Sequence, residues 1–229
     1  FKQKTAYEML RSLVGSEMCI RDSYAPEGLE PAYGVGEEEY ARALAREVWR
    51  LLQASRGRAF VLCTSHRRMN ELYALISPHL EYTCLCQGEG LARAELLERF
   101  QNEPGGAVLF ATRSFWEGVD IPGAALSLVV IDKLPFSAPR DPVTEGRQAL
   151  IRARGGDPFN ELLLPEAILA LKQGVGRLIR SEADRGVMAI LDSRILTRGY
   201  GARILGSLPP ARRTRHIRDV RAFFAAEPG

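Results

Sequence analysis

The chain has 229 residues and a formal net charge of +3, with 46% hydrophobic and 26% charged residues. Such a length suits one domain, at roughly 100–200 residues each, and the balance of residues is that of an ordinary water-soluble globular protein. No apolar run approaches the ~20 residues that cross a bilayer, so no membrane segment is expected. The front of the chain has basic residues without a sustained apolar core and does not read as a secretory signal.

In chain order, FKQKTAYEMLRSLVGSEMCIRDS (1–23) comes first, and it looks like the conceptual translation of a sequencing adapter. Two of the chain's four lysines lie in its first four residues, unlike the arginine-rich remainder. The expectation is a native part beginning near Tyr24, with residues 1–23 making no packed contact with it. Residues 24–36 hold Pro26, Pro31, Gly28, Gly34 and Gly36 and read as a linker. The domain proper is expected over 37–229.

EEEYARALAREVWRLLQA (37–54) predicts a helix. Leu44, Val48, Leu51 and Leu52 form its apolar stripe, acids sit at the end where the dipole favours them, and Gly57 stops it. RAFVLCTS (58–65) reads as a strand, HRRMNELYALI (66–76) as a helix, EYTCLC (81–86) as a strand and LARAELLERF (91–100) as a helix. AVLFAT (107–112) and LSLVVID (126–132) follow as strands, then a helix over 165–180 and a strand VMAILD over 187–192. Continuous apolar strands alternating with helices predict an α/β fold, doubly wound, with a mainly parallel sheet covered on both faces. The stretch 194–221 carries eight arginines against one acid, Asp219, either a solvated basic face or a DNA-facing surface.

The four cysteines, Cys19, Cys63, Cys84 and Cys86, have neither zinc-site nor iron–sulfur spacing. Buried apolar thiols in a reducing cytoplasm are the expectation, with no metal site.

Ligands of open parallel sheets bind outside the carboxyl ends of the strands. The segments after those ends are Thr64-Ser65-His66, RSFWEGVD (113–120), KLPFSAPRDP (133–142) and Asp192-Ser193-Arg194. A phosphate loop needs glycines followed by Lys and then Ser or Thr, whereas Lys133 and Lys172 are followed by Leu134 and Gln173. Phosphate chemistry therefore has to be completed by another domain. In QGVGRLIR (173–180), Gln173, Arg177 and Arg180 are spaced by four and three and share one helix face. Two planar guanidinium groups on a helix suit an arginine-finger role, and surface salt bridges are the alternative. Two glycines in that helix each cost about 1 kcal/mol relative to alanine, which points to a close approach to its backbone.

RSFWEGVDIPG, IDKLPFSAPRDP, RGGDPFNELLLPEAILALKQGVGRLIR and DRGVMAILDSR together resemble the second motor domain of the DinG/XPD helicases, in particular the bacterial DinG-like YoaA group. The resemblance covers essentially residues 24–229. It implies a RecA-like domain that closes an ATP site opened by a first motor domain, in a 5′-to-3′ DNA helicase that is cytoplasmic. QGVGRLIR is similar to motif VI, making Arg177 and Arg180 fingers on the γ-phosphate and Gln173 their polar partner. EGVD is similar to motif V, placing Glu117, Gly118 and Asp120 near the nucleotide. CTSH is similar to motif IV, with Thr64 and Ser65 as contacts to DNA phosphates. His66 stands where that family often has an aromatic. Ser114, Trp116 and Lys133 are further DNA-side candidates, with packing of the interdomain loop as the other role for Phe115 and Trp116.

By the same resemblance ATP and Mg2+ are shared with the chain's own N-terminal motor domain. An iron–sulfur cluster is expected only there, and the partner is single-stranded or forked DNA. The chain then reads as a C-terminal fragment, inactive by itself. The rival reading is a catalytically inert RecA-like module that binds nucleic acid.

Overall fold

The computed structural model describes residues 20–26, 29, 36–112, 115, 125–137, 141–176 and 185–226. Among the described residues, seven strands form one sheet: β1 (Ile20–Tyr24), β2 (Ala59–Cys63), β3 (Thr83–Cys86), β4 (Ala107–Thr112), β5 (Leu128–Ile131), β6 (Gly186–Ile190) and β7 (Arg212–Thr214). Their order is β3-β4-β2-β5-β6-β1-β7, and every pairing is parallel. The helices are α1 (Glu37–Ser55), α2 (His66–Ile76), α3 (Arg93–Asn102), α4 (Pro142–Ala153), α5 (Leu164–Val175), α6 (Arg194–Thr197), α7 (Gly199–Ser207) and α8 (Ile217–Ala225), with a π-helical turn at Phe159–Leu163 before α5. Among the described residues no helix is long and apolar enough to cross a membrane.

Strand side chains alternate between faces, and the two faces build two cores. Val61, Val108, Phe110, Val130 and Ala189 point to one face, where Leu44, Val48, Leu51 and Leu52 of α1, Met69 and Leu72 of α2 and Val220 of α8 cover them. Phe60, Leu62, Leu109, Val129 and Met188 point to the other, beneath Leu96 and Phe100 of α3, Leu171 and Val175 of α5 and Ile204 of α7. All six residues of β4 and all four of β5 are buried, which is why these strands are continuously apolar instead of alternating. The predicted α/β doubly wound architecture is what forms.

The chain leaves β2 for α2 on one face and leaves β5 toward α5 on the other, although the two strands are neighbours. The sheet therefore has its topological switch point between the carboxyl ends of β2 and β5, where the diverging connections leave a crevice.

α1 ends as Gly57 suggests. Arg56 and Gly57 are left-handed, with φ of 54° and 74°. A Cβ on Gly57 would stand 3.2 Å from the main chain of Gly106, so glycine is required there both for the turn and for the close approach.

Two boundaries are corrected. β1 runs across the junction drawn at residues 23 and 24, and residues 20–23 pair with β6, with β7 on the other side. The expectation that residues 1–23 make no packed contact thus fails for 20–23. Strand pairing uses main-chain groups, so a segment is admitted to a sheet without a characteristic side-chain pattern. Residues 1–19 lie outside the described residues. The linker read at 24–36 begins in the core: Tyr24 and Leu29 are buried, and the Tyr24 hydroxyl donates to the Glu47 carboxylate of α1. The proline and glycine content of 26–36 hides both anchors. Deleting residues 1–24 removes the strand that joins β7 to the sheet. Thermal unfolding is expected to move down by several degrees, and an unchanged melting curve would show that β1 contributes nothing.

Candidate functional site

The crevice at the switch point is built from the ends of β2 and β5. Leu62 pairs with Ile131 in register, so the next residues, Cys63-Thr64 and Asp132-Lys133, leave the sheet side by side. Asp132 is 1% exposed. Its Oδ1 accepts the Thr64 main-chain N–H at 3.0 Å, and its Oδ2 lies 3.3 Å from Thr64 Oγ1. Burial lifts its carboxyl from 3.8 to about 6, against the opposing pull of the Thr64 hydrogen bonds and the Lys133 charge. Ser65 caps α2: its Oγ accepts the Arg68 N–H at 3.2 Å, in the extended conformation of an N-cap. Thr64 and Ser65 remain exposed.

Tyr40 of α1 forms the side of the crevice. Lys133 Nζ lies 5.7 Å and the Arg68 guanidinium 5.3 Å from its ring centre, cation–π distances that hold both charges near the edge. Burial, with Asp132 and Asp192 nearby, pushes the Tyr40 phenol up to about 12, so it is a neutral platform and not a base. Burial also pushes the Cys63 thiol well up, and Cys84 and Cys86 to about 11. These thiols stay protonated and are poor nucleophiles.

A second buried carboxylate stands at the end of β6. Asp192 accepts the Leu134 N–H at 2.8 Å and the Arg194 N–H at 3.0 Å, and the Arg194 guanidinium reaches it at 2.6 Å. Arg194 lies over Phe136, which packs with Phe159 and Tyr200. At the end of β4, the Gln87 side chain accepts from Thr112 N and Oγ1 at 2.8 and 3.0 Å. These contacts tie the segment after β3 to the end of β4, and the segments after β5 and β6 to each other.

Of the residues singled out in the sequence, Thr64, Ser65 and Lys133 come together at the crevice. Gln173 is exposed on α5, opposite the buried Ala170, Leu171, Gly174 and Val175. Among the described residues, no hydrogen bond joins it to the Thr64–Lys133 group. Ser114, Trp116, Glu117, Gly118, Asp120, Arg177 and Arg180 lie outside the described residues. Phe115 is buried at 3% exposure, a packing role. Sequence reasoning placed Asp192 on this edge without giving it a role, and missed Asp132 and Tyr40. A usable signal existed for the two acids, since each follows directly on an apolar strand run, VVID and AILD.

The chain's residues 48–211 match a family described as the helicase C-terminal domain. Over 185 residues it is 50% identical to the ATP-dependent DNA helicase YoaA of Escherichia coli K12, covering 81% of this chain and 29% of that protein. Over 176 residues it is 42% identical to the ATP-dependent helicase DinG of Mycobacterium tuberculosis H37Ra, covering 77% and 26%. This chain thus spans under a third of the length of either relative. Among solved structures, an XPD helicase superposes with a TM-score of 0.63 at 16% identity, covering 85% of this chain and 35% of that one, a likeness of fold. With an all-parallel RecA-like sheet, a polar, basic crevice at its switch point, a family match over residues 48–211 and half of its aligned residues shared with YoaA, this chain belongs to the helicase C-terminal domain family.

Proposed function

We propose that the chain is the second motor half of an ATP-dependent, 5′-to-3′ DNA helicase, closing a nucleotide site whose phosphate loop lies on a first motor domain. The observation that carries the reading is the switch-point crevice, where Thr64, Ser65 and Lys133 stand around the buried Asp132 at the edge where parallel sheets bind ligands. The names of the two relatives agree with it.

In this reading Arg177 and Arg180 present guanidinium forks to the transferring phosphoryl group, with Gln173 as their polar partner, and Glu117, Gly118 and Asp120 face the nucleotide. Such fingers contribute about 10³–10⁵ in turnover in other phosphate hydrolases. Thr64, Ser65 and Lys133, with Ser114 and Trp116, face single-stranded or forked DNA, and closure of the two halves on ATP moves the strand. Among the described residues no three His, Cys, Asp or Glu side chains converge on a metal position. In this reading ATP and its magnesium ion are shared between this chain and the first domain, and an iron–sulfur cluster belongs to the first domain.

The 229-residue chain alone, given ATP, magnesium and single-stranded DNA, is expected to turn over no ATP. Joined to the phosphate-loop domain encoded upstream, it is expected to show DNA-stimulated hydrolysis. Hydrolysis by the pure chain, or none by the joined protein, overturns the reading. A second reading, an inert nucleic-acid-binding module, is favoured by the exposed Arg212, Arg213, Arg218 and Arg221 along β7 and α8. It requires DNA binding without turnover in the joined protein.

A further inference from the structure

We propose that Asp132 is a positioning residue that sets the direction of the Thr64 hydroxyl, and so decides whether Thr64 can donate a hydrogen bond to a phosphate at the crevice. The inference rests on the reading of this edge as DNA-facing. A threonine hydroxyl has one proton to give and two lone pairs to offer. Thr64 is held to Asp132 twice, through its main-chain N–H at 3.0 Å and through Oγ1 at 3.3 Å. An ionised carboxylate can only accept, so while Asp132 carries its charge the Thr64 proton is turned inward. Lone pairs are all that Thr64 then shows to the crevice. A phosphate oxygen is also an acceptor, and the two have nothing to exchange.

The opposite arrangement arises when the Asp132 carboxyl is protonated. Its O–H then donates to Thr64 Oγ1, its other oxygen still accepts the Thr64 N–H, and the Thr64 proton turns outward as a donor. An asparagine at 132 reproduces this state permanently, with its amide N–H₂ toward Oγ1 and its carbonyl toward the main chain. Ser65 supplies an internal contrast. Its Oγ accepts the Arg68 N–H, which leaves its own proton free to point outward whatever the state of Asp132. Adjacent hydroxyls thus differ in polarity toward a ligand.

The groups that face Asp132 are known from each neighbouring element. They are Lys133 at the end of β5, Cys63 at the end of β2 and Tyr40 of α1, while Arg68 of α2 and Asp192 with Arg194 after β6 act on the same Tyr40. Burial brings the Asp132 carboxyl up to about 6, so both hydroxyl directions are accessible in ordinary buffers.

The test uses the 229-residue chain and a fluorescein-labelled oligo-dT, read by fluorescence polarisation. At about pH 7.5, Asp132→Asn is expected to tighten binding about fivefold, equivalent to about 1 kcal/mol at 1.4 kcal/mol per tenfold. In a Thr64→Val background the same change should move affinity less than about twofold, because no hydroxyl remains to turn. Thr64→Val alone should cost little at about pH 7.5 and about fivefold at about pH 5.5, below the Asp132 midpoint. Histidine protonation affects both proteins alike and cancels in their ratio.

Equal tightening by Asp132→Asn in both backgrounds overturns the proposal, since that is the mere loss of a negative charge. A wild-type to Thr64→Val ratio that stays flat across pH also overturns it, even where Asp132→Asn fails to fold. If Ser65→Ala and Lys133→Ala weaken binding while the Asp132 and pH effects are absent, the DNA-facing edge stands and only the role of Asp132 falls. If Ser65→Ala and Lys133→Ala change nothing, the DNA-facing reading itself fails and takes the proposal with it.

Discussion

In the chain joined to its phosphate-loop domain, Arg180→Ala is expected to lower ATP turnover about 10³-fold, the lower end of known finger effects. The reason is electrostatic. Charge develops on the transferring phosphoryl oxygens inside a closed, water-poor cleft, where a preplaced guanidinium acts without reorganising. Arg180→Lys should rescue poorly, because an ammonium keeps the charge and loses the planar, two-pronged fork. Arg177→Ala should behave similarly. Affinity for single-stranded DNA without nucleotide should change less than about twofold, since a finger on phosphate adds nothing to a nucleotide-free complex. Steady-state hydrolysis and polarisation on the same proteins separate the roles. Near-normal turnover with lost DNA affinity in Arg180→Ala would assign QGVGRLIR to the DNA channel.

The sheet was legible where burial on both faces makes a strand read as one apolar run, as in AVLFAT and LVVI of β4 and β5. It was not legible where local chemistry masks the pattern. In α8, Ile217, Val220, Phe223 and Phe224 recur at helical spacing and pack against α1 and the sheet, yet the first two stand among the arginines of 194–221, which read as a basic surface. α4 carried its own start signal, Asp141 followed by Pro142, with the Asp141 carboxylate accepting the Thr144 N–H at 2.8 Å. That signal was absorbed into the loop after β5. At the crevice, the exposed Thr64 and Ser65 and the half-buried Lys133 could be found from their places after apolar runs. Asp132 could not be connected to them, because its partner Thr64 is 68 residues away and only the β2–β5 pairing brings the two together.

The second large effect expected is on stability, from Asp192→Ala. Asp192 is 6% exposed and accepts from Leu134 N and from both the main chain and the guanidinium of Arg194. Removing the carboxylate strips the buried Leu134 N–H of its acceptor and takes a counter-charge from Arg194. Breaking a buried ion pair from one side costs roughly 3–5 kcal/mol. The Arg194 side chain is 34% exposed, so water recovers part of its solvation and the loss should lie near the lower figure, about 3 kcal/mol. At roughly 2–4 °C per kcal/mol for a domain of this size, the melting temperature should fall by about 6–12 °C. Asp192→Asn keeps an acceptor for Leu134 and should fall about half as far. Arg194→Met keeps apolar contact with Phe136 and leaves Asp192 bonded to the two main-chain N–H groups. A loss smaller than that of Asp192→Ala would identify the Leu134 bond between the β5 and β6 loops, and not the ion pair, as the larger contribution. Thermal and urea melts of the three variants decide the order. If Arg194→Met is as damaging as Asp192→Ala, the guanidinium holds this edge together and the main-chain bond is secondary.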